Sequence, residues 1–349
     1  MKALTFAVPG ELTIPTGGYA YDRRMVQELG QFGWNVEVVN LGAHFPHPTT
    51  EQRASAVAQL LAIPEGRPVV VDGLAYGVLP EAAETLGRAH PVIALVHHPL
   101  ALESGLSDAE ASRLRTSERA ALAGAKSVIV TSAATARLLA TDYGVVADRI
   151  VIALPGTDVA APAKGSSDGI VRLLAVGAVV PRKGYDVLIA ALASILEPPW
   201  TLTIAGDRTR DPACAGQLDA AIAHHGLEGR IAVLGAVPDE RLAQLYDSAD
   251  LFVLPSRFEG YGMAFTEALA RGLPVVGTIA GAIPDTVPQG AGVLVPPDDA
   301  QALAAVLKRL IDNPADRKEM AVRAREACTA QPSWSASAKL FAQAIEAAL

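Results

Sequence analysis

Six short, continuously apolar runs, each followed by a helical pattern, occupy the first half of this chain, and six more occupy the second. The first set reads "ALTFAV", "VEVVNL", "PVVVDGL", "PVIALVHH", "SVIVTS" and "RIVIAL". The second reads "VRLLAVG", "WTLTIAG", "IAVLG", "DLFVLPS", "PVVGT" and "GVLVPP". Runs that are apolar at every position, rather than at alternate ones, mark strands buried on both faces of a parallel sheet. Strand–helix alternation over each half therefore predicts an α/β protein with two doubly wound parallel-sheet domains. A length of 349 residues suits two such cores better than one.

The division falls in "LPGTDVAAPAKGSSDG" (154–169), which is dense in Pro, Gly and Ser and has no periodicity. We expect a first domain over 1–158, a linker over 159–169 and a second domain over 170–332. After Pro332, the residues Trp334, Leu340, Phe341 and Ile345 recur at helical spacing, so 333–349 should form one more amphipathic helix.

The formal net charge is −8 and no dense Lys/Arg cluster occurs, which argues against nucleic acid as a partner. Arg113, Arg115 and Arg119 read as a solvated helix face. Cys214 and Cys328 stand far apart without a C-x-x-C partner, so neither a disulfide framework nor a zinc site is expected. "MKALTFAVPG" reads as a first strand rather than a signal peptide, and no run of 18 or more apolar residues is present. The expected setting is cytoplasmic. The apolar "PLAL" (99–102) leaves open a lipid-linked acceptor with peripheral contact at the inner membrane face, and equally a buried loop anchor.

Ligands of open parallel sheets bind outside the carboxyl ends of the strands, and four constellations fall there. In "PSRFEGYGMAFTEALARGLPVV" (255–276), a strand ends, a loop carries Glu259, and a helix from about Gly262 to Arg271 carries Glu267. Gly260 and Gly262 let the backbone approach a ligand closely, and free amides at a helix start suit an anion. A loop carboxylate would repel that anion but would bind hydroxyl groups beside it. A ligand with both phosphate and polyol fits, and a nucleotide sugar is the natural candidate. The plainer reading is two acids stabilising a helix start, worth about 0.3–1 kcal/mol each.

In "VGAVVPRKGYDVLIAAL" (176–192), Arg182 and Lys183 stand just before a helix N-terminus, where cations are disfavoured. Something anionic should compensate them, and a diphosphate would do so. Gly17 and Gly18 open a helix after the first strand, but not with G-x-G-x-x-G spacing, so no NAD fingerprint is present. His97, followed by His98, comes directly after the strand "PVIALV", where an imidazole can hydrogen-bond a substrate hydroxyl.

These segments resemble retaining glycosyltransferases of glycosyltransferase family 4, whose GT-B fold consists of two facing Rossmann-like domains. The resemblance covers nearly the whole chain. It rests on Gly17-Gly18, "PRKGYDVLI", "IAGD" (204–207), "LYDSADLFVLPSRFEGYGMAFTEALARGLPVVGT" and "AGVLVPPDD", with Glu259 and Glu267 matching the E-x7-E motif. It implies that Glu267 binds the ribose and Glu259 the donor-sugar hydroxyls. The amides of Gly260, Tyr261, Gly262 and Met263 would lie along the sugar and phosphates, Lys183 would clamp the diphosphate, and His97 would face the donor sugar. It further implies transfer from a nucleoside diphosphate sugar, UDP favoured, to a hydroxyl acceptor, with no cofactor and no metal. The terminal helix would return to the first domain.

The chain departs from the pattern at Gly177-Ala178, where the family often has Gly-Arg; Arg182 is the cation left to substitute. A GT-B-like epimerase or phosphorylase, or a nucleotide-sugar-binding partner subunit without turnover, would share the architecture.

Overall fold

The computed structural model describes residues 2–349 except Ser104. The chain forms two compact units, Met1–Gly156 with Pro332–Leu349, and Thr157–Gln331. Within the stretch read as a linker, the amides of Ala163, Lys164 and Gly165 donate to carbonyls of Arg271 and Asp247, so these residues lie on the second unit.

Each of the six apolar runs of the first half forms a strand: β1 (Lys2–Val8), β2 (Trp34–Asn40), β3 (Val69–Asp72), β4 (Val92–Val96), β5 (Ser127–Val130) and β6 (Ile150–Ile152). They pair in parallel in the order β2-β1-β3-β4-β5-β6. The second unit repeats the plan with β7 (Val171–Val176), β8 (Trp200–Ala205), β9 (Ile231–Val233), β10 (Leu251–Val253), β11 (Val275–Thr278) and β12 (Gly292–Val295). Its order is β12-β11-β10-β7-β8-β9, again parallel.

Burial follows position in the sheet. Of the inner strands, β3, β4, β5, β10 and β11 are buried along their whole length and β1, β7 and β8 along most of it. The edge strands β2, β6, β9 and β12 are not, and Val38 on β2 is 42% exposed. An apolar run alone does not distinguish an inner strand from an edge.

Both orders contain one reversal of direction. In the first unit the chain places β2 on one side of β1 and β3 on the other, so the reversal lies between β1 and β3. In the second unit it lies between β7 and β10. Connections leaving two such strands part to opposite faces of the sheet and leave a crevice at their carboxyl ends.

The terminal helix, Trp334–Ala348, belongs to the first unit and starts where Ser333 accepts the Ala336 N–H at 3.2 Å. Trp334, Phe341 and Ile345 are buried, whereas Leu340 points outward at 45% exposure. Phe341 stacks on Phe6 of β1 with ring centres 6.2 Å apart. Burying side chains of this size contributes about 1.5–3 kcal/mol each, so this helix is part of the first core.

The "PLAL" stretch is the buried anchor of the two readings. Pro99, Leu100 and Ala101 are buried, and Leu100 and Ala101 pack with Val78 and Leu114. No helix among the described residues is long and apolar enough to cross a membrane.

Candidate functional site

The crevice between β7 and β10 gathers the residues singled out in the second half. After β7 the chain runs through Gly177 into a short turn, Pro181–Lys183, and then into the helix Tyr185–Ala193. Gly184 links the two at φ +68°, and a Cβ there would stand 2.2 Å from the Pro255 carbonyl oxygen. Only glycine lets this turn lie against the segment that follows β10. After β10, the loop 254–262 leads into the helix Met263–Ala270, whose N-cap is Gly262.

Glu259 is the meeting point of both segments. It is 6% exposed. Its Oε1 accepts from Lys183 Nζ at 2.7 Å and from Ser256 Oγ at 2.6 Å, while its Oε2 accepts from Arg182 Nη1 at 3.3 Å. Arg182 Nη1 also donates to the Phe258 carbonyl at 2.8 Å. Burial opposes ionisation of Glu259, but Lys183 and Arg182 outweigh it and hold the carboxyl near 2. The anion that the two cations call for is thus supplied by Glu259, 76 residues further along the chain. Two cations thus stand side by side at the crevice, and the amides at the start of the helix Met263–Ala270 add partial positive charge beside them.

The loop is backed by a second close approach. A Cβ on Gly281 would lie 2.3 Å from the Glu259 carbonyl oxygen, and the Ala282 N–H donates to that oxygen at 2.9 Å. Tyr261 turns its ring inward and donates to Gln331 Oε1 at 3.2 Å, while its carbonyl accepts from Thr286 Oγ1 at 2.8 Å. Gly260, Gly262 and Met263 are half-buried.

Glu267, on the helix, is half-buried; its Oε2 accepts from Tyr246 Oη at 3.0 Å. Burial raises its pKa, with the Tyr246 hydrogen bond and Arg271 acting against the rise. Arg271 lies 4.6 Å from the centre of the Tyr246 ring. Ala178 places no charge at the crevice. The carbonyl of the preceding Gly177 accepts from Tyr185 Oη at 2.7 Å, which ties that loop to the helix start.

In the first unit, the crevice between β1 and β3 holds the opposite balance. The helix Gly17–Leu29 begins at Thr16, whose hydroxyl accepts the Tyr19 N–H at 3.2 Å. Its buried face carries Tyr21, Asp22, Met25 and Leu29. Asp22 is fully buried, and its Oδ1 lies 3.0 Å from His97 Nε2. Asp72, at the end of β3, has its Oδ2 3.8 Å from the same nitrogen and its Oδ1 accepting the Leu74 N–H at 2.7 Å. Gly18 sits against the imidazole, where a Cβ would come within 3.3 Å of the ring, and Tyr21 meets the ring edge-on at 5.5 Å. His98 pairs with Glu103 at 3.4 Å.

Burial and the neighbouring Asp22 push the Asp72 carboxyl well above the usual range, against the opposing charge of His97. For His97, burial works against the charged ring, but Asp22 and then Asp72 raise its pKa overall. Both shifts point the same way, so the crevice favours a proton on Asp72 and on the imidazole. Atoms of these three residues converge within 4.8 Å of one another, which is also a donor set that a divalent cation can use. Asp22 and Asp72 were not among the residues expected from sequence. The available signal was an acid at the end of "VVVD" and another on the apolar face of the first helix.

This two-unit architecture, with a ligand crevice at the strand reversal of each sheet, defines the GT-B class of two-domain proteins. The chain belongs to the glycosyltransferases built from these two domains. Residues 10–156 match the family described as "Glycosyl transferase 4-like domain", and residues 161–327 match "Glycosyl transferases group 1".

Among curated relatives, "MMP alpha-(1->4)-mannosyltransferase" of Mycolicibacterium hassiacum is 28% identical over 265 residues, 71% of this chain and 63% of that protein. "D-inositol 3-phosphate glycosyltransferase" of Nocardia farcinica is 32% identical over 251 residues, 66% and 55% respectively. The matched stretch thus spans between half and two thirds of these relatives. Among solved structures, sucrose-phosphate synthase from Thermosynechococcus elongatus superposes with a TM-score of 0.83 at 22% identity, over 98% of each chain. Anabaena HepE in complex with UDP and glucose gives 0.81 at 21% identity, over 99% of this chain and 100% of that one. At such identities these two structures speak for the fold alone.

Proposed function

We propose that this chain transfers a sugar from a nucleoside diphosphate sugar, with UDP as the favoured nucleotide, to a hydroxyl acceptor. The observation that carries this reading is the paired cations at the second crevice: Lys183 and Arg182 both meet the buried carboxylate of Glu259 beside a glycine-bracketed helix start. The names of relatives support it, since they are sugar transferases, and HepE was solved with UDP and with UDP-glucose.

On this reading Lys183 and Arg182 meet the departing diphosphate, and the amides of Gly260, Tyr261, Gly262 and Met263 lie along the sugar and phosphates. Glu259 accepts hydrogen bonds from sugar hydroxyls, and Glu267 from the ribose. Gly17, Gly18 and His97 belong to the sugar-facing surface of the first unit, which also receives the acceptor. Several relatives are named for phosphorylated polyols or sugars, which favours a small polyhydroxylated acceptor.

The transfer retains configuration at the anomeric carbon. The bond from that carbon to the diphosphate oxygen breaks, and the acceptor hydroxyl attacks from the same face. Its proton passes to the departing diphosphate oxygen, giving a glycoside and a nucleoside diphosphate. Protein cations aimed at the charge that develops provide electrostatic stabilisation, so no divalent metal is required.

The test is nucleoside diphosphate release from UDP-glucose, GDP-mannose and ADP-glucose, with NMR of the product's anomeric configuration and EDTA present in a parallel reaction. Release from one donor, retention and indifference to EDTA are expected. Tight donor binding without any turnover would favour the non-catalytic partner subunit instead, and Ala178 is the feature that favours that second reading.

A further inference from the structure

Arg257 lies in the loop after β10, two residues before Glu259, and no role falls to it in the reading above. We propose that Arg257 is a positioning residue, whose guanidinium locks the Pro181–Gly184 turn, and with it Arg182 and Lys183, in register with Glu259. The inference rests on the diphosphate-clamp reading of those two cations.

Two segments distant in sequence, 181–186 and the one carrying Asp298, converge on this one side chain. Its Nη1 and Nη2 grip both carboxylate oxygens of Asp186, in the first turn of the helix Tyr185–Ala193, at 3.0 and 2.7 Å. Its Nε donates to Asp298 Oδ1 at 2.7 Å, and its Nη1 also donates to the Pro181 carbonyl at the head of the turn. The Arg257 amide donates to the Arg182 carbonyl at 2.8 Å, so main chain and side chain hold the same turn from both ends. A planar fork with five fixed donors can span three such acceptors; a single ammonium cannot match the bidentate part.

Asp298 closes the arrangement at a cost. It is one of two non-glycine residues with positive φ among the described residues, at +60°. Such a conformation persists only where its surroundings impose it. It falls within "AGVLVPPDD", a motif of the sequence to which the crevice gave no use.

Exposure separates positioning from simple stabilisation. The side chains of Asp186 and Asp298 are 67% and 59% exposed, and that of Arg257 28%. Ion pairs so open to solvent contribute little to overall stability. What remains for the arrangement to do is geometry, and the element it fixes is the one carrying both cations.

The experiment compares the whole protein with Arg257→Met, Arg257→Lys and Asp186→Asn. Hydrogen exchange is read at the amides of Lys183 and Gly184, which bond to the carbonyls of Val180 and Pro181. Affinities are measured for UDP and UMP, and likewise for GDP with GMP and ADP with AMP. In all three variants, exchange at Lys183 and Gly184 should rise about tenfold or more, while the buried amides of β10 and β11 stay protected.

Affinity for the diphosphate should fall about tenfold and that for the monophosphate less than about twofold, because only the diphosphate engages the displaced cations. Unchanged exchange together with an unchanged diphosphate preference in Arg257→Met overturns the proposal. So does full rescue by Arg257→Lys with a silent Asp186→Asn, since charge alone would then suffice. A wild type that binds no diphosphate better than its monophosphate would instead count against the clamp reading, and the exchange data would still decide the locking of the turn.

Discussion

The two strand-reversal crevices are built on the same plan from opposite sets of charged side chains. In the second unit, two cations share one buried carboxylate, which stays ionised far below its usual pKa. In the first, two buried carboxyls share one imidazole, and the surplus appears as a proton kept on Asp72. Parallel-sheet geometry supplies the crevice in both cases. The residues at the strand ends decide whether it attracts an anion or donates and accepts hydrogen bonds with neutral hydroxyls. That division of labour suits a diphosphate leaving group on one unit and a polyol on the other.

The comparison breaks most sharply at Lys183. Lys183→Ala should lower turnover by roughly 10²–10³, the scale for removing one preorganised donor at a developing charge, with the fold retained. Steady-state kinetics and circular dichroism check the two halves of that statement.

The next effect lies in the first unit, at Glu118. This residue is 1% exposed and accepts the Leu100 N–H at 2.9 Å, and burial pushes its carboxyl up to about 8. Its native pKa is above the unfolded value, so the folded state binds the extra proton. Stability should therefore fall as pH rises from about 4.5 towards 8. Glu118→Gln should flatten that slope and raise stability at pH 8 by roughly 2–4 kcal/mol. Urea titrations from pH 5 to 8 would show it, and parallel slopes for the two proteins would count against a protonated Glu118.

Glu267→Ala should weaken nucleoside diphosphate binding about 10- to 100-fold, the range for losing a hydrogen bond to a charged group. Unchanged affinity argues against the ribose role. Asp72→Asn removes the surplus carboxyl of the first crevice. Asp72 raises the His97 pKa, so the variant should bring the imidazole titration down, read from its ring-proton shifts by NMR. The smallest effect is expected for Glu259→Gln. Turnover falls, but UDP binds about three- to tenfold tighter because a like charge beside the diphosphate is gone.

How much of this was legible beforehand follows from where each interaction is encoded. The twelve strands were readable because parallel strands are apolar along their length, and the helix after Gly262 because Gly-rich loops and Gly-Leu-Pro punctuate it. Arg182-Lys183 and Glu259 each stood out locally, but nothing in the order of residues shows that they touch across 76 positions. Asp22 and Asp72 looked like ordinary polar residues, since their shared partner His97 reaches them only once β1, β3 and β4 lie side by side. Arg257 was silent for the same reason: its acceptors on Asp186 and Asp298 are 71 and 41 residues away. Local pattern encodes elements and glycine hinges, while charge balance belongs to the assembled crevice.

The most direct test of the central claim is thermal unfolding of the wild type with UDP, GDP and ADP, alongside Lys183→Ala. A nucleotide at 100 times its dissociation constant adds about 2.7 kcal/mol to the folded state, a rise of several degrees for units of this size. The account predicts that rise with one nucleoside diphosphate, UDP first, and its loss in Lys183→Ala. No shift with any of the three, or an equal shift in the variant, would contradict it.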